Sequence, residues 1–134
     1  MLSSYSKYHI AYLAGLLDGE GHICAARRPH GRGAAVVVGM TNTDLRLLKP
    51  FLVFGGKISK PRIRGFGNKP QYSWTIHSTG AARFLAAVLP HPRRLKNRAR
   101  IAMIILYNTP RKGQHLTEKQ ARIIQRAKRR FSAA

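Results

Sequence analysis

Acid is the scarcest chemistry in this chain: aspartate and glutamate number four, against 25 lysines and arginines, for a formal charge of +21. A solubilising exterior would carry both signs interspersed, so an ordinary charged surface does not account for the imbalance. Charge of this size on a small domain repels itself unless a polyanion neutralises it. Nucleic acid is the leading partner, because each lysine or arginine that meets a phosphate releases condensed counterions. Cysteine is scarcer still. The single Cys24 excludes an internal disulfide, argues against a cysteine-based zinc site and fits an intracellular protein. Long apolar runs are missing too, with none near the ~20 residues that cross a bilayer. The run Ile10–Leu17 is closed by Asp18, so neither a membrane partner nor a signal peptide is expected.

What the chain does have is material for a core. With 44% hydrophobic residues over 134 positions, it is long enough for one domain and too apolar for a disordered polycation. Residues 1–134 are read as a single domain, with a core over 7–108 and a basic helix over 115–132. Ile10, Leu13 and Leu17 predict a helix from Lys7 to Asp18, capped by Ser6 or Ser4 and stopped at Gly19-Glu20-Gly21. Strands are predicted over His22–Arg28 and Ala34–Met40, joined by the turn Pro29–Gly33. A second helix follows, capped by Thr43 or Asn42, with Leu45, Leu48 and Leu52 inward, a kink at Pro50 and an end at Gly55-Gly56. Lys57–Arg64 reads as a third strand. Gln71–Ser78 reads as a fourth, with Tyr72, Trp74 and Ile76 toward the core. Helices are then expected over Ala81–Leu89, Leu95–Asn108 (Ile101, Ile104 and Ile105 inward) and Thr117–Phe131, the last opened by the capping box Thr117-x-x-Gln120.

Two of the four acids, Asp18 and Glu20, fall within "LAGLLDGEG", Leu13–Gly21. This stretch closely resembles the LAGLIDADG motif that names a family of homing endonucleases and related intron maturases. The likeness extends over most of the chain: "TNTDLRLL" and "FGGKI" resemble the family's second helix and third strand, and "YSWTI" its fourth strand. "LKNRARIAMIIL" and "HLTEKQARII" resemble later helices. The fold implied is α+β, in the order αββαββα, with a saddle-shaped four-stranded antiparallel sheet and C-terminal helices. Single-motif members are homodimers, so two copies of the motif helix are expected to cross. The small residues Ala11, Ala14 and Gly15, with Asp18, form the face on which helices can approach closely.

The resemblance implies Mg²⁺-dependent cleavage of both strands of a long, roughly palindromic duplex DNA. The alternative is a non-cleaving protein of the same fold that binds structured RNA. Glu20 matches the family's metal ligand, for Mg²⁺ or another divalent cation such as Mn²⁺ or Ca²⁺, and Asp18 is a weaker second candidate. Hard carboxylate oxygens beside phosphate suit such ions. From residue types alone, the same acids could instead pair with a nearby lysine or arginine. Asn42 matches an amide that positions active-site water, or else caps a helix. Lys96 matches a basic residue at the scissile phosphate, or is one more solvated cation, and Arg46 is a further basic candidate. DNA contacts are expected on the polar strand faces: His22, Cys24, Ala26 and Arg28, with His30 and Arg32 at the turn. Lys57, Ser59, Arg62 and Arg64 would come from the third strand, and Ser73, Thr75 and His77 from the fourth. In the last helix Ile123, Ala127 and Phe131 are expected to pack, leaving Arg122, Arg126, Arg129 and Arg130 for phosphate. The six histidines lack zinc-ligand spacing, and Phe51 and Ile58 stand where a phosphate-binding loop needs glycine and Ser or Thr. The expected location is a bacterial cytoplasm, a mitochondrion or a chloroplast.

Overall fold

In the computed structural model, the described residues are 7–27, 34–61, 63, 69–110 and 114–133. Helix α1 (Lys7–Glu20) buries Leu13, Ala14 and Leu17 and runs two residues past its expected end, so Glu20 is its last residue. The serines expected to cap it lie outside the described residues. Strand β1 (Gly21–Arg27) starts with no linking residue. Only glycine fits this junction, since a Cβ on Gly21 would lie 2.6 Å from the Leu17 carbonyl oxygen. Strand β2 is Ala34–Asn42, two residues longer than predicted.

The second helix differs from its prediction. Helix α2 covers only Leu45–Leu48, and a 3-10 helix continues from Lys49 to Phe54. Pro50 has no N–H to return to the preceding turn, so the α pattern cannot continue. The tighter three-residue period aligns Leu48, Phe51 and Phe54. Phe51 is therefore fully buried, while Leu52, expected inside, is 42% exposed. The cap is Asp44, whose side chain accepts from the Arg46 N–H at 2.9 Å, and not Thr43 or Asn42. Phe51 packs against Trp74 (ring centroids 4.8 Å apart), and Trp74 against Phe84 at 5.2 Å.

Strand β3 is only Lys57–Ile58, shorter than the predicted Lys57–Arg64: residues 59–61 are described and leave the ladder after one further backbone bond, from Ser59 N–H to the Ser73 carbonyl at 2.8 Å. Pro61 lacks the donor to prolong the ladder. Strand β4 is Tyr72–His77. Helix α3 (Ser78–Val88) follows directly, earlier than predicted, and Ser78 makes the reversal with φ +56°. Left-handed backbone at a non-glycine residue costs about 1 kcal/mol. Helices α4 (Lys96–Asn108) and α5 (Glu118–Ala133) complete the chain. The predicted capping box is present: Gln120 N–H donates to Thr117 Oγ1 at 3.1 Å, and Thr117 N–H to Gln120 Oε1 at 2.9 Å.

All strand pairs are antiparallel, in the order β1-β2-β4-β3, so two hairpins meet at β2 and β4. This is the predicted α+β arrangement. Helices α1, α3 and α4 cover one sheet face, burying Ile23, Val36, Val38, Met40, Trp74 and Ile76 in one cluster with Leu85, Ala102 and Ile105. Helix α5 packs on α4 and adds Ile124, Ala127 and Phe131 to the cluster. Ile124 thus takes the place expected of Ile123, and Ile104 is only partly buried. Among the described residues no helix is long and apolar enough to cross a membrane.

Candidate nucleic-acid interface and carboxylate site

The end of α1 splits the chain's acids between two environments. Glu20 is exposed where α1 meets β1, and the extra length of β2 brings Asn42 beside it. Asn42 Nδ2 donates to Glu20 Oε2 at 2.6 Å, while Asn42 Oδ1 accepts from the Asp44 N–H at 2.8 Å. Both ends of the amide are engaged, so it steers one oxygen of the exposed Glu20. Asn42 caps no helix.

Asp44 and Arg46 form a separate unit. The guanidinium donates to both Asp44 oxygens, at 3.0 and 2.9 Å. The Arg46 side-chain bonds, then its backbone N–H, hold the Asp44 carboxyl below the usual range, and Asp44 raises Arg46 in turn. Arg46, offered above as a basic site residue, spends its charge on Asp44. Its side chain is 89% exposed.

Asp18 turns to the other side of the helix. Its Oδ2 accepts from the N–H groups of Arg93 (3.2 Å) and Arg94 (3.1 Å), and its Oδ1 from Leu95 N–H at 2.8 Å. Partial burial pushes this carboxyl up, but the backbone donors from Leu95, Arg94 and Arg93, with the Arg94 charge, outweigh it and leave the pKa below the ordinary value. Arg94 also reaches back, Nε to the Asp18 carbonyl at 2.6 Å and Nη2 to the Gly21 carbonyl at 2.9 Å. A cation on the Asp18 carbonyl, in the last turn of α1, is favourable against the helix dipole. Sequence reasoning missed Arg94; nothing in its flanking residues marks it among 25 cations. The clasp sets the start of α4, whose first residue is Lys96. Lys96 is half-buried and follows the turn that Asp18 grips.

Among the described residues no helix covers the second sheet face, which carries the predicted contact residues His22, Cys24, Lys57, Thr75 and His77 in register. His22, Gly39, Thr75 and Lys57 form one row across all four strands. Cys24, Val37 and His77 form the next, and Ala26 lies opposite Ala35 beyond it. On the Glu20 side, Thr41 and Ser73 share a hydroxyl hydrogen bond of 2.8 Å, with Ser59 alongside. His22, Cys24, Lys57, Ser59 and His77 are exposed, and Ser73 and Thr75 are half-buried. Gly39 has a role that the sequence did not reveal. A Cβ there would sit 2.8 Å from His22 Cε1 and 3.0 Å from the Trp74 carbonyl oxygen, so its bareness lets the imidazole lie across β2. Arg28, His30, Arg32, Arg62 and Arg64 lie outside the described residues, as does the side chain of Ala26.

Of the small residues of α1, Ala14 is fully buried in its own chain and so faces the core. Ala11 is half-buried, and Gly15 and Gly19 are exposed with no atom within 4 Å of an added Cβ. Beside them stand Tyr8 and Tyr12, 75% and 52% exposed. Asp18, occupied by the α4 turn, is not part of that outward strip. Among the described residues no group of three or more His, Cys, Asp or Glu side chains could hold a metal ion.

No protein-family profile and no curated protein matches the sequence. Solved structures do match. The homing endonuclease I-CvuI, in complex with its target in the presence of calcium, aligns at TM-score 0.62 with 16% identity, over 94% of this chain and 96% of that one. The same enzyme with a DNA target and magnesium aligns at TM-score 0.56 over the same shares. The LAGLIDADG homing endonuclease I-LtrWI, bound to target DNA, aligns at TM-score 0.61 with 18% identity, over 96% of this chain but 44% of that one. The chain therefore has the LAGLIDADG homing-endonuclease fold.

Proposed function

We propose that the protein is a site-specific DNA endonuclease, assembled from two copies, that cleaves both strands of a long, roughly palindromic duplex with the help of Mg²⁺. The observation that carries this reading is Glu20. In a chain nearly devoid of acid, this carboxylate is exposed at the edge of an uncovered polar sheet face, and Asn42 holds one of its oxygens. A carboxylate beside a phosphate repels it unless a cation joins them.

Two copies are required for a complete centre. One chain offers one such carboxylate, and the chain matches less than half of I-LtrWI. The strip of Ala11, Gly15 and Gly19, flanked by Tyr8 and Tyr12, gives a second α1 a close approach and apolar area to cover. Crossing there would bring two Glu20 residues together.

The donor set fits a hard divalent cation: Glu20 from each copy, completed by phosphate and water oxygens. Once bound, such a cation would stabilise charge on the phosphate and lower the pKa of an attacking water. The chain's own residues do the rest. Asn42 orients Glu20, and Lys96, placed by the Asp18 clasp, supplies positive charge for the scissile phosphate. His22, Thr75, Lys57, Ser73, Ser59 and His77 present donors and acceptors to a major groove, with Cys24 available to a thymine methyl.

The test is cleavage of the uninterrupted allele of the gene that carries this reading frame. Cutting by wild type with Mg²⁺, abolished by EDTA and by Glu20→Gln, supports the reading. Tight binding to structured RNA with no DNA cleavage under those conditions would overturn it.

A further inference from the structure

The cationic charge is not confined to the sheet face. Helix α5 carries six lysines and arginines and one acid in 16 residues. Its apolar stripe, Ile124, Ala127 and Phe131, is buried, and Phe131 also receives the Arg98 guanidinium 4.3 Å from its ring centre. At 100° per residue, Arg122, Arg126 and Arg129 project from the opposite side, flanked by Lys119 and Arg130. All five are exposed. The one acid, Glu118, lies 3.9 Å from Arg122, and both side chains are highly exposed, so the contact neutralises little. The ridge spans about 16 Å, three helical turns. It points away from α4, the element that carries α5, and α4 itself packs on the covered side of the sheet.

We propose that this ridge is a second DNA-binding surface, which holds a separate duplex irrespective of sequence while the sheet's open face holds the first. The partner follows from charge and shape. A continuous row of arginines on a helix pairs with phosphates, and a helix on the outside of its domain, with its basic side turned outward, fits the wide major groove of B-form DNA, with flanking cations reaching both strands. The deep, narrow major groove of A-form RNA does not admit it. A two-sided protein can pass from one duplex to another without full release. The inference rests on the proposed function only in taking the sheet as the first surface; it does not require cleavage.

The experiment counts duplexes. Purified protein is sedimented with an excess of a short, labelled, random-sequence DNA duplex, and DNA per protein assembly is measured for wild type and for R122Q/R126Q/R129Q. These side chains are exposed, so the variant should melt at the same temperature as wild type. Wild-type assemblies holding a second duplex support the proposal when the variant loses that duplex at least tenfold in affinity and keeps the first within twofold. The salt slope of second-duplex binding should also fall by about 2 to 3. The proposal is overturned if wild type holds one duplex, if the variant still holds two, or if the variant loses the first. Preference of the ridge for an RNA hairpin of equal phosphate count would overturn DNA as its partner. Because no step reads cleavage, an inactive Glu20 leaves this outcome unchanged.

Discussion

Asp18 and Glu20 leave the same end of α1 toward two differently built regions. On one side, the turn before α4 saturates Asp18 with three backbone N–H donors and an arginine. On the other, β2 offers Glu20 a single amide donor and leaves the rest open. Two carboxylates of similar chemistry are thereby separated: a saturated one stabilises a chain crossing, and an unsaturated one retains lone pairs for a ligand. The same contrast explains why Arg46, although close in sequence to Asn42, is withdrawn from the open side by Asp44.

The comparison breaks most visibly at Glu20. Under the proposed function, Glu20→Gln is expected to lower cleavage about a thousandfold or more, since it removes the charge proposed to hold a cation. Urea melts should be unchanged within about 0.5 kcal/mol, as for most exposed substitutions.

The opposite pattern is expected at Asp18. Asp18→Asn loses a charged acceptor and sets an NH₂ against backbone donors, which should cost about 1–3 kcal/mol of stability in urea titration. A pH series sharpens this. The folded pKa of Asp18 is depressed, so its contribution is fully present above the unfolded value of about 4 and is lost as pH falls through that value toward the folded pKa. The gap in stability between wild type and Asp18→Asn should therefore be constant near neutrality and narrow below about pH 4.

Asn42→Ala frees the steered oxygen of Glu20 and should reduce the cleavage rate by about ten- to a hundredfold, with little change in DNA affinity, the size typical of losing a group that orients a ligand. The smallest effect is expected at Arg46→Ala. Removing an exposed pair should leave stability nearly unchanged and cleavage within a few-fold; a loss as large as that of Glu20→Gln would place Arg46 at the phosphate.

Much of this was legible in the residues. The charge, the apolar spacing of Leu13 and Leu17, the alternation through Tyr72–Ile76 and the Thr117–Gln120 box are local, and local patterns survived folding. The failures came where the helical period changed or where packing decided which side of a face is covered. Leu52 kept helical spacing, but Pro50 changed the period beneath it. Ala14 sat in a small-residue stripe, yet the core covers it while Gly15 stays open.

By itself, then, the sequence determined most of the elements that form, that the chain is a polycation, and that two of its four acids stand at the end of one helix. Periodicity settles which residues share a face, because that follows from backbone geometry alone. Only the tertiary structure decided what each face meets. Asp18 finds its donors 75 to 77 residues away and Glu20 its amide 22 residues away. Contacts of that range depend on how α4 and β2 pack, which no local pattern encodes. The division between the acid that holds the fold and the acid left open for chemistry is accordingly a property of packing.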